Sequence, residues 1–115
     1  MPKRRVALVG HCASGKSTVA NLLGDMGIDA YSVAQEHSIV HDLWWHQEPD
    51  ILVMLDVSLD EIRRRKSNPA WPKWIFDVQS ERLNHARQNA WLTLDTDTMS
   101  AKEIADSIRQ AIDVQ

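Results

Sequence analysis

The residues with the clearest chemical signature form a loop near the start of the chain. Residues 10–17 read Gly-His-Cys-Ala-Ser-Gly-Lys-Ser and match the whole pattern G-x-x-x-x-G-K-[S/T], whose backbone cradles the phosphates of nucleoside triphosphates. The glycines at positions 10 and 15 let successive N–H groups of the backbone turn toward a phosphate. This segment, called the 10–17 loop below, is therefore predicted to hold the phosphates of ATP or GTP.

Three polar side chains at the end of the loop and the start of the following segment have predicted contacts. The Lys16 ammonium would bridge the β- and γ-phosphates as a point charge, which makes it the first catalytic candidate. The Ser17 hydroxyl would bind Mg²⁺, an ion that takes few protein ligands and keeps several waters. Thr18 either contacts the α-phosphate or supports the start of the following helix. The predicted nucleotide-binding residues are Gly10, Ala13, Ser14, Gly15, Lys16, Ser17 and Thr18.

Three charged residues outside the loop are candidates for phosphoryl transfer, which depends on positioning, metal binding and charge neutralisation. Glu36 is predicted to hold a metal-bound water or to accept a proton from a substrate hydroxyl, and its alternative is a solvated polar helix start. Asp56 is the second predicted Mg²⁺ ligand, or it caps the turn before Ser58. Arg64, in the basic run 63–66, is the predicted catalytic cation near the γ-phosphate, or it complements a helix C-terminus.

Four short apolar segments have the composition of buried strands. The first of them ends where the 10–17 loop begins, and the third ends at Asp56, on the same predicted edge of a sheet. Ligands bind at the carboxyl edge of open parallel sheets, so this is where the chemistry is expected. The predicted strands are 5–9, 28–33, 51–55 and 91–94.

Segments with helical patterns separate these strands. Apolar residues at i, i+3, i+4 and i+7 begin at Val19 and end at Met26, and capping boxes begin at Ser58 and Ser100. Pro69 and Pro72 predict a loop over 67–74. The other predicted helices are a short one within 34–46, one over 58–66, one over 77–89 and a last one after Ser100.

Strands that alternate with helices predict a parallel sheet with helices on both faces. The predicted fold class is therefore α/β, a three-layer arrangement with a short, about four-stranded parallel sheet. A length of 115 residues fits a single domain, residues 1–115.

Composition narrows the expected partners and compartment. The formal net charge of −3 argues against nucleic acids and membranes as partners, because both attract basic surfaces. The single cysteine, Cys12, cannot form an internal disulfide, which favours a reducing, cytoplasmic location.

At the 10–17 loop and in two further stretches, the chain resembles the P-loop proteins of the kinase branch, such as adenylate, cytidylate, shikimate and gluconate kinases. Residues 50–65 resemble their late strand and arginine-bearing helix, and residues 91–103 resemble their final strand and helix. The resemblance implies that the arginines after the late strand belong to a lid over the phosphates. It also implies that the loop before the last helix passes near the adenine.

These observations predict a small P-loop protein that binds ATP or GTP with Mg²⁺ and transfers the γ-phosphoryl group to a small acceptor. The chain is too short to carry the family's additional Walker B strand, substrate-binding insert and long lid, so it would be a reduced member. Two alternatives stay open. One is a nucleotide-binding regulatory or assembly module without turnover, its site completed by a second copy, and the other is simple hydrolysis of the triphosphate.

Overall fold

The core of the fold is a sheet of four parallel strands. In the computed structural model, which describes residues 4–114, the strands are β1 Arg5–Gly10, β2 Asp29–Ser32, β3 Ile51–Asp56 and β4 Leu92–Asp95. Their spatial order is β2-β1-β3-β4, and each neighbouring pair is parallel. The predicted α/β class and the four-stranded parallel sheet are confirmed. Residues 1–3 and 115 of the predicted domain lie outside the described residues.

Four α-helices and two short 3-10 helices connect and follow the strands. The α-helices are α1 Lys16–Asp25, α2 Leu59–Arg65, α3 Lys73–Asn89 and α4 Ala101–Asp113, and the 3-10 helices are Gln35–His37 and Leu43–Trp45. Both predicted capping boxes lie at helix starts, where Ser58 and Ser100 each accept a hydrogen bond from a backbone N–H three residues on. The box is complete only at Ser100. The Ser58 N–H donates to Asp97 rather than to Glu61, so the capping box predicted at Ser58 is only half formed. Where the sequence predicts one short helix within 34–46, the structure has the two single-turn 3-10 helices Gln35–His37 and Leu43–Trp45.

Helix α3 begins earlier than the prediction of residue 77, inside the segment predicted as a loop. Pro72 occupies the position before the first turn, with φ −68° and ψ 133°, and its carbonyl accepts a hydrogen bond from the Phe76 N–H at 3.4 Å. Proline is well suited to a helix start, because the N–H that it lacks would have no partner there. The prediction of a loop over 67–74 is therefore wrong for the last residues of that segment.

Helices cover both faces of the sheet, as expected for three layers. Side chains that alternate along β1 and β3 point to opposite faces, and each set packs on different helices. On one face, α1 and α4 contribute Val19, Ala20, Leu23, Ile104, Ala105 and Ile108 against Val6, Leu8, Ile51, Val53 and Leu55. On the other face, α3 contributes Leu83 and Ala86 against Ala7, Val9, Leu52 and Met54. This packing fixes α1 and α3 on either side of the 10–17 loop.

Candidate functional site

The 10–17 loop leaves the carboxyl end of β1 and leads directly into α1. Gly10 pairs in register with Leu55 of β3, and a Cβ atom at Gly10 would come within 2.5 Å of the Leu55 carbonyl oxygen. Any larger residue would therefore force the loop away from β3. Gly15 has φ 90°, a conformation that glycine adopts without strain, and a Cβ there would meet nothing within 4 Å. The loop therefore packs closely against β3 at Gly10, whereas the space beside Gly15 is unoccupied.

Helix α1 begins with backbone donors that no side chain caps. Its N-cap is Gly15, which has no side chain to accept a hydrogen bond, and the first turn holds no acidic residue. The first N–H groups of a helix lack intrahelical partners, and the helix dipole places partial positive charge there. Ser17 and Thr18, in this first turn, are both exposed. Unsatisfied N–H groups beside exposed hydroxyls make this helix end suited to an anion.

Lys16 lies folded back over the loop. Its ammonium donates to the Gly10 carbonyl at 3.0 Å, to the His11 carbonyl at 3.3 Å and to Glu36 Oε2 at 2.5 Å. An ammonium has three N–H donors, so these three acceptors use all of them. The lysine is thus held at the mouth of the loop by two carbonyls and one carboxylate.

Glu36 is buried, with a relative exposure of 3%, so its alternative role as a solvated residue at a helix start is excluded. Its Oε2 atom pairs with Lys16, whereas its Oε1 atom is buried and accepts no hydrogen bond from a described residue. The neighbouring Gln35 fixes this turn, because its side chain donates to the Val40 carbonyl at 2.7 Å and accepts from the Trp44 N–H at 2.9 Å. The sequence therefore folds a buried carboxylate against the loop lysine, and one of its oxygens has no hydrogen-bond partner among the described residues.

The structure brings Arg65, rather than the predicted Arg64, against the 10–17 loop. Arg65 donates to the Ala13 carbonyl at 2.9 Å and to the Thr96 carbonyl at 2.7 Å, which ties the loop to the segment before α4. Arg64 is 72% exposed and pairs with Glu61. Hydrogen bonds from Arg64 and Arg65 lower the pKa of Glu61 to about 2. Arg65 also steadies a strained residue, since Ala13 has φ 65°.

A cavity of about 570 Å³ lies between the loop, α2 and the segment before α4. This volume falls within the usual range for small-molecule sites. Four of the predicted nucleotide-binding residues and the predicted catalytic Arg64 line this one cavity. The lining includes Ala13, Ser14, Gly15, Thr18, Arg64, Arg65 and residues 97–101. The Ser14 hydroxyl is buried and has no partner among the described residues.

Asp56 lies at the same edge of the sheet, but both of its carboxylate oxygens are engaged. Arg87 Nη1 and Nη2 donate to them at 2.8 and 2.6 Å, the two-pronged geometry of a strong ion pair. Within residues 4–114, no group of three or more His, Cys, Asp or Glu side chains is arranged to hold a metal ion. The predicted pairing of Asp56 with Ser17 around Mg²⁺ therefore gains no support from these contacts.

The sequence matches no family model and no curated protein. Across the described residues, no helix combines the length and apolar character needed to cross a bilayer.

Helix α3 supplies contacts to the loop that were not predicted. Gln79, which is buried, accepts the Cys12 N–H at 3.2 Å, and Ser80 contacts His11 Nε2 at 2.8 Å. One turn away, Arg82 Nη1 donates to the Glu36 carbonyl at 3.4 Å. These residues share one side of α3, whose apolar residues had indicated a helix. No local pattern marked its polar residues as loop contacts, because the partners are more than 40 positions away in sequence.

His11 is a buried histidine between the loop and α3. Its ring stacks on Phe76, with 4.4 Å between ring centroids and 6° between the planes, and its Nδ1 atom has no partner among the described residues. Burial lowers the pKa of His11 from its usual 6.5, with the positive charge of Arg87 acting in the same direction. His11 therefore contributes to the loop as a neutral, packed ring.

The lowered pKa of His11 predicts a pH dependence of stability. Between that pKa and 6.5 the unfolded chain binds more protons than the folded one, so the free energy of unfolding falls as pH drops below 6.5. We expect the free energy of unfolding, measured with urea, to fall less between pH 7.5 and 5.5 for His11→Phe than for the wild type. Phenylalanine keeps the stacking but cannot titrate. His41→Phe, at an exposed site, is the matched control and should follow the wild-type curve. Equal pH slopes for all three proteins would contradict this account.

Proposed function

We propose that the protein binds a purine nucleoside triphosphate with Mg²⁺ at the 10–17 loop and transfers the γ-phosphoryl group to a small acceptor. One observation carries the proposal. At the uncapped start of α1, the Lys16 ammonium is held by a buried carboxylate, Glu36, whose other oxygen has no hydrogen-bond partner among the described residues. A cation and an acid at an anion-binding helix end are the groups that phosphoryl transfer requires.

Binding of the triphosphate would exchange the partners of Lys16. Because its three N–H donors are already used, the ammonium must release at least one acceptor to bind phosphate oxygens. The Glu36 carboxylate is the acceptor that the negative phosphates would replace, since two anions compete for one cation. Glu36 would then be free to act beside the γ-phosphate. The ion pair thus keeps both groups in place until the substrate arrives.

The residues present fit Mg²⁺ through Ser17 and Glu36. The Ser17 hydroxyl is exposed at the first turn of α1 and lies 3.5 Å from the Ser32 hydroxyl at the end of β2. Glu36 Oε1, which has no partner among the described residues, would accept a hydrogen bond from a metal-bound water, in keeping with an ion that retains most of its hydration shell. When bound, Mg²⁺ would neutralise charge on the β- and γ-phosphates. Asp56 is left out of this set because Arg87 holds both of its oxygens.

The 570 Å³ cavity is the place for the nucleoside. It continues from the loop toward the segment before α4, so phosphates on the loop would leave the sugar and base between Arg64 and residues 97–101. The polar groups of Thr98, which is exposed, can meet the polar edge of a base, whereas those of Ser100 cap α4. This arrangement agrees with the position of the adenine that the kinase resemblance implies.

Transfer itself would rest on Glu36. The acceptor hydroxyl would give its proton to Glu36 Oε2, the oxygen that Lys16 releases, while the hydroxyl oxygen attacks the γ-phosphorus. Lys16 and the N–H groups of α1 would stabilise the negative charge that develops on the phosphoryl oxygens. Each of these groups belongs to a rigid element or is fixed by a hydrogen bond, as positioning requires.

Calorimetric titration with ATP and with GTP, each with Mg²⁺, tests the binding step. We expect a dissociation constant in the micromolar range for one of them, about −8 kcal/mol of binding free energy. Adenosine without phosphates is the matched control and should bind far more weakly. If neither triphosphate binds more tightly than adenosine, the assignment of the 10–17 loop to phosphates is wrong.

The product formed from the γ-phosphate distinguishes phosphoryl transfer from hydrolysis and from binding without turnover. A kinase forms ADP or GDP only when an acceptor is added, whereas a hydrolase releases inorganic phosphate without one. A regulatory module binds the triphosphate with neither product. Quantitative ³¹P spectra of the protein with the bound triphosphate, with and without hydroxylated acceptors, distinguish these three results.

A further inference from the structure

A buried glutamine interrupts the apolar side of α3. Gln79 lies four positions before Leu83, so the two side chains share the side of the helix that packs toward the sheet. Only 3% of Gln79 is exposed, and Leu83 and Ala86 on the same side are apolar and fully buried. A buried amide costs free energy unless it is hydrogen-bonded, and an apolar residue at this position would avoid that cost. Gln79 is therefore a candidate for a role beyond packing.

The partner of Gln79 is one peptide group of the 10–17 loop. Gln79 Oε1 accepts a hydrogen bond from the Cys12 N–H at 3.2 Å, and the carbonyl of the same peptide group belongs to His11. That carbonyl accepts a hydrogen bond from the Lys16 ammonium at 3.3 Å. Because the N–H and the C=O of a planar trans peptide point in opposite directions, Gln79 and Lys16 hold this peptide from opposite sides.

Helix α3 also holds the residue that supplies the charged acceptor of Lys16. Arg82, three positions after Gln79, donates from Nη1 to the Glu36 carbonyl at 3.4 Å, and Glu36 Oε2 accepts from the Lys16 ammonium. The helix itself is fixed by Leu83, which is fully buried against the sheet. Two of the three acceptors of Lys16 are thus held in place by polar side chains of α3.

The contact through the peptide is the one that would persist when a triphosphate is bound. The proposed exchange takes Lys16 from Glu36 to the phosphate oxygens, because two anions compete for one cation. The Gly10 and His11 carbonyls carry no net charge, so they would continue to direct the ammonium. The loop that carries them depends on contacts from outside it, since Ala13 has a left-handed φ of 65°.

We propose that Gln79 is a positioning residue of the phosphate site, which directs the Lys16 ammonium at the triphosphate through the peptide between His11 and Cys12. Without the glutamine oxygen, the Cys12 N–H turns toward water and the His11 carbonyl moves away from Lys16. The ammonium then samples more directions, and ordering it on the phosphates costs more entropy. This inference rests on the proposed binding of a triphosphate and adds a residue of α3 to that site.

Amide hydrogen exchange in the full chain tests the contact itself. In the wild type, the Cys12 N–H should exchange more slowly than an amide in an unstructured peptide. Gln79→Met should remove this protection, because methionine has nearly the length of glutamine but lacks the amide oxygen. Gln88→Met, the same change at an exposed position of α3, should leave the exchange of Cys12 unchanged. An unprotected Cys12 N–H in the wild type would overturn the proposal.

Calorimetric titration with Mg²⁺ and the preferred triphosphate measures the effect on the site. Gln79→Met should weaken binding about fivefold to tenfold, the contribution of one hydrogen bond of ordinary strength. Gln88→Met should bind as the wild type does. Gln79→Asn, whose amide ends one methylene short of Cys12, should show a similar loss and is the variant to use if Gln79→Met does not fold. Wild-type affinity in either folded variant of Gln79 would contradict the positioning role.

A double-mutant cycle with Lys16→Met separates positioning of the ammonium from general support of the loop. If Gln79 acts through Lys16, Gln79→Met should change the affinity by less than about twofold in the Lys16→Met background, because no ammonium remains to be directed. NMR titration measures these weaker affinities. An equal loss in both backgrounds would mean that Gln79 supports the loop as a whole, and the role through Lys16 would be wrong.

The outcomes distinguish this inference from the function on which it rests. If the wild type binds neither triphosphate more tightly than adenosine, the proposed function and the role of Gln79 both fall. If the wild type binds a triphosphate and Gln79→Met binds it as tightly as Gln88→Met does, the role of Gln79 alone is wrong.

Discussion

Lys16→Met should weaken binding of the Mg²⁺-bound triphosphate by about a hundredfold. The substitution keeps most of the side-chain volume but removes the ammonium, and charge-assisted hydrogen bonds contribute roughly 1.5–3 kcal/mol each. It also leaves the Glu36 carboxylate without its cation, so negative charge then faces the incoming phosphates. Calorimetry with the preferred nucleotide measures the change. Arg109→Gln, which removes an exposed cation of α4 that does not line the cavity, should bind as the wild type does.

The same substitution should lower stability, because Lys16 and Glu36 form a largely buried pair with 11% and 4% side-chain exposure. Leaving one member of such a pair alone costs about 3 kcal/mol of unfolding free energy. The double variant Lys16→Met/Glu36→Gln removes both charges, so urea unfolding should show most of that loss recovered while triphosphate binding stays weak. Binding restored to the wild-type level in the double variant would mean that Lys16 is not a phosphate ligand.

The parts of the molecule that the sequence predicts well are those governed by short-range patterns. The 10–17 loop, the N-cap at Ser58 and the capping box at Ser100 depend on residues a few positions apart, and apolar periodicity indicates which face of each element is buried. These local signals agree with one another, and the parallel sheet follows from the order of the elements.

The contacts that complete the site depend on positions distant in sequence. Neighbouring helix residues point about 100° apart, so which arginine of 63–65 reaches the loop is decided by the packing of α2. Arg65 meets Ala13 across 52 positions, and Arg87 meets Asp56 across 31. Composition gives no information about such pairs. The two prolines of 67–74 were a weaker guide, since proline marks both loops and helix starts.

The burial of Glu36, a residue on which the proposed function depends, was equally out of reach of the sequence. Its polar neighbours gave equal support to a solvated turn and to a catalytic position. The position of this turn is set by two sets of hydrogen bonds. Gln35 bonds Val40 and Trp44, and Arg82 of α3 bonds the Glu36 carbonyl. These contacts press the turn against the loop, and Lys16 then compensates the cost of burying the charge.

Glu36→Gln should abolish most turnover and retain triphosphate binding. The amide has nearly the shape of the carboxylate but cannot accept the acceptor's proton, so we expect transfer to slow by about a hundredfold or more. Affinity for the triphosphate should be unchanged or higher, because one negative charge beside the phosphates is gone and Lys16 is released from its pair.

Measuring triphosphate affinity and phosphoryl transfer separately tests the role of Glu36 better than a measurement of activity alone. Calorimetry measures affinity and ³¹P spectra measure transfer to the acceptor, with Glu81→Gln, an exposed glutamate on α3, as the matched control. If Glu36 holds a metal-bound water, the gain in affinity that Mg²⁺ gives should also shrink in Glu36→Gln and persist in Glu81→Gln. Wild-type transfer by Glu36→Gln would rule out the catalytic assignment, and loss of binding together with transfer would leave Glu36 only the structural role of holding Lys16.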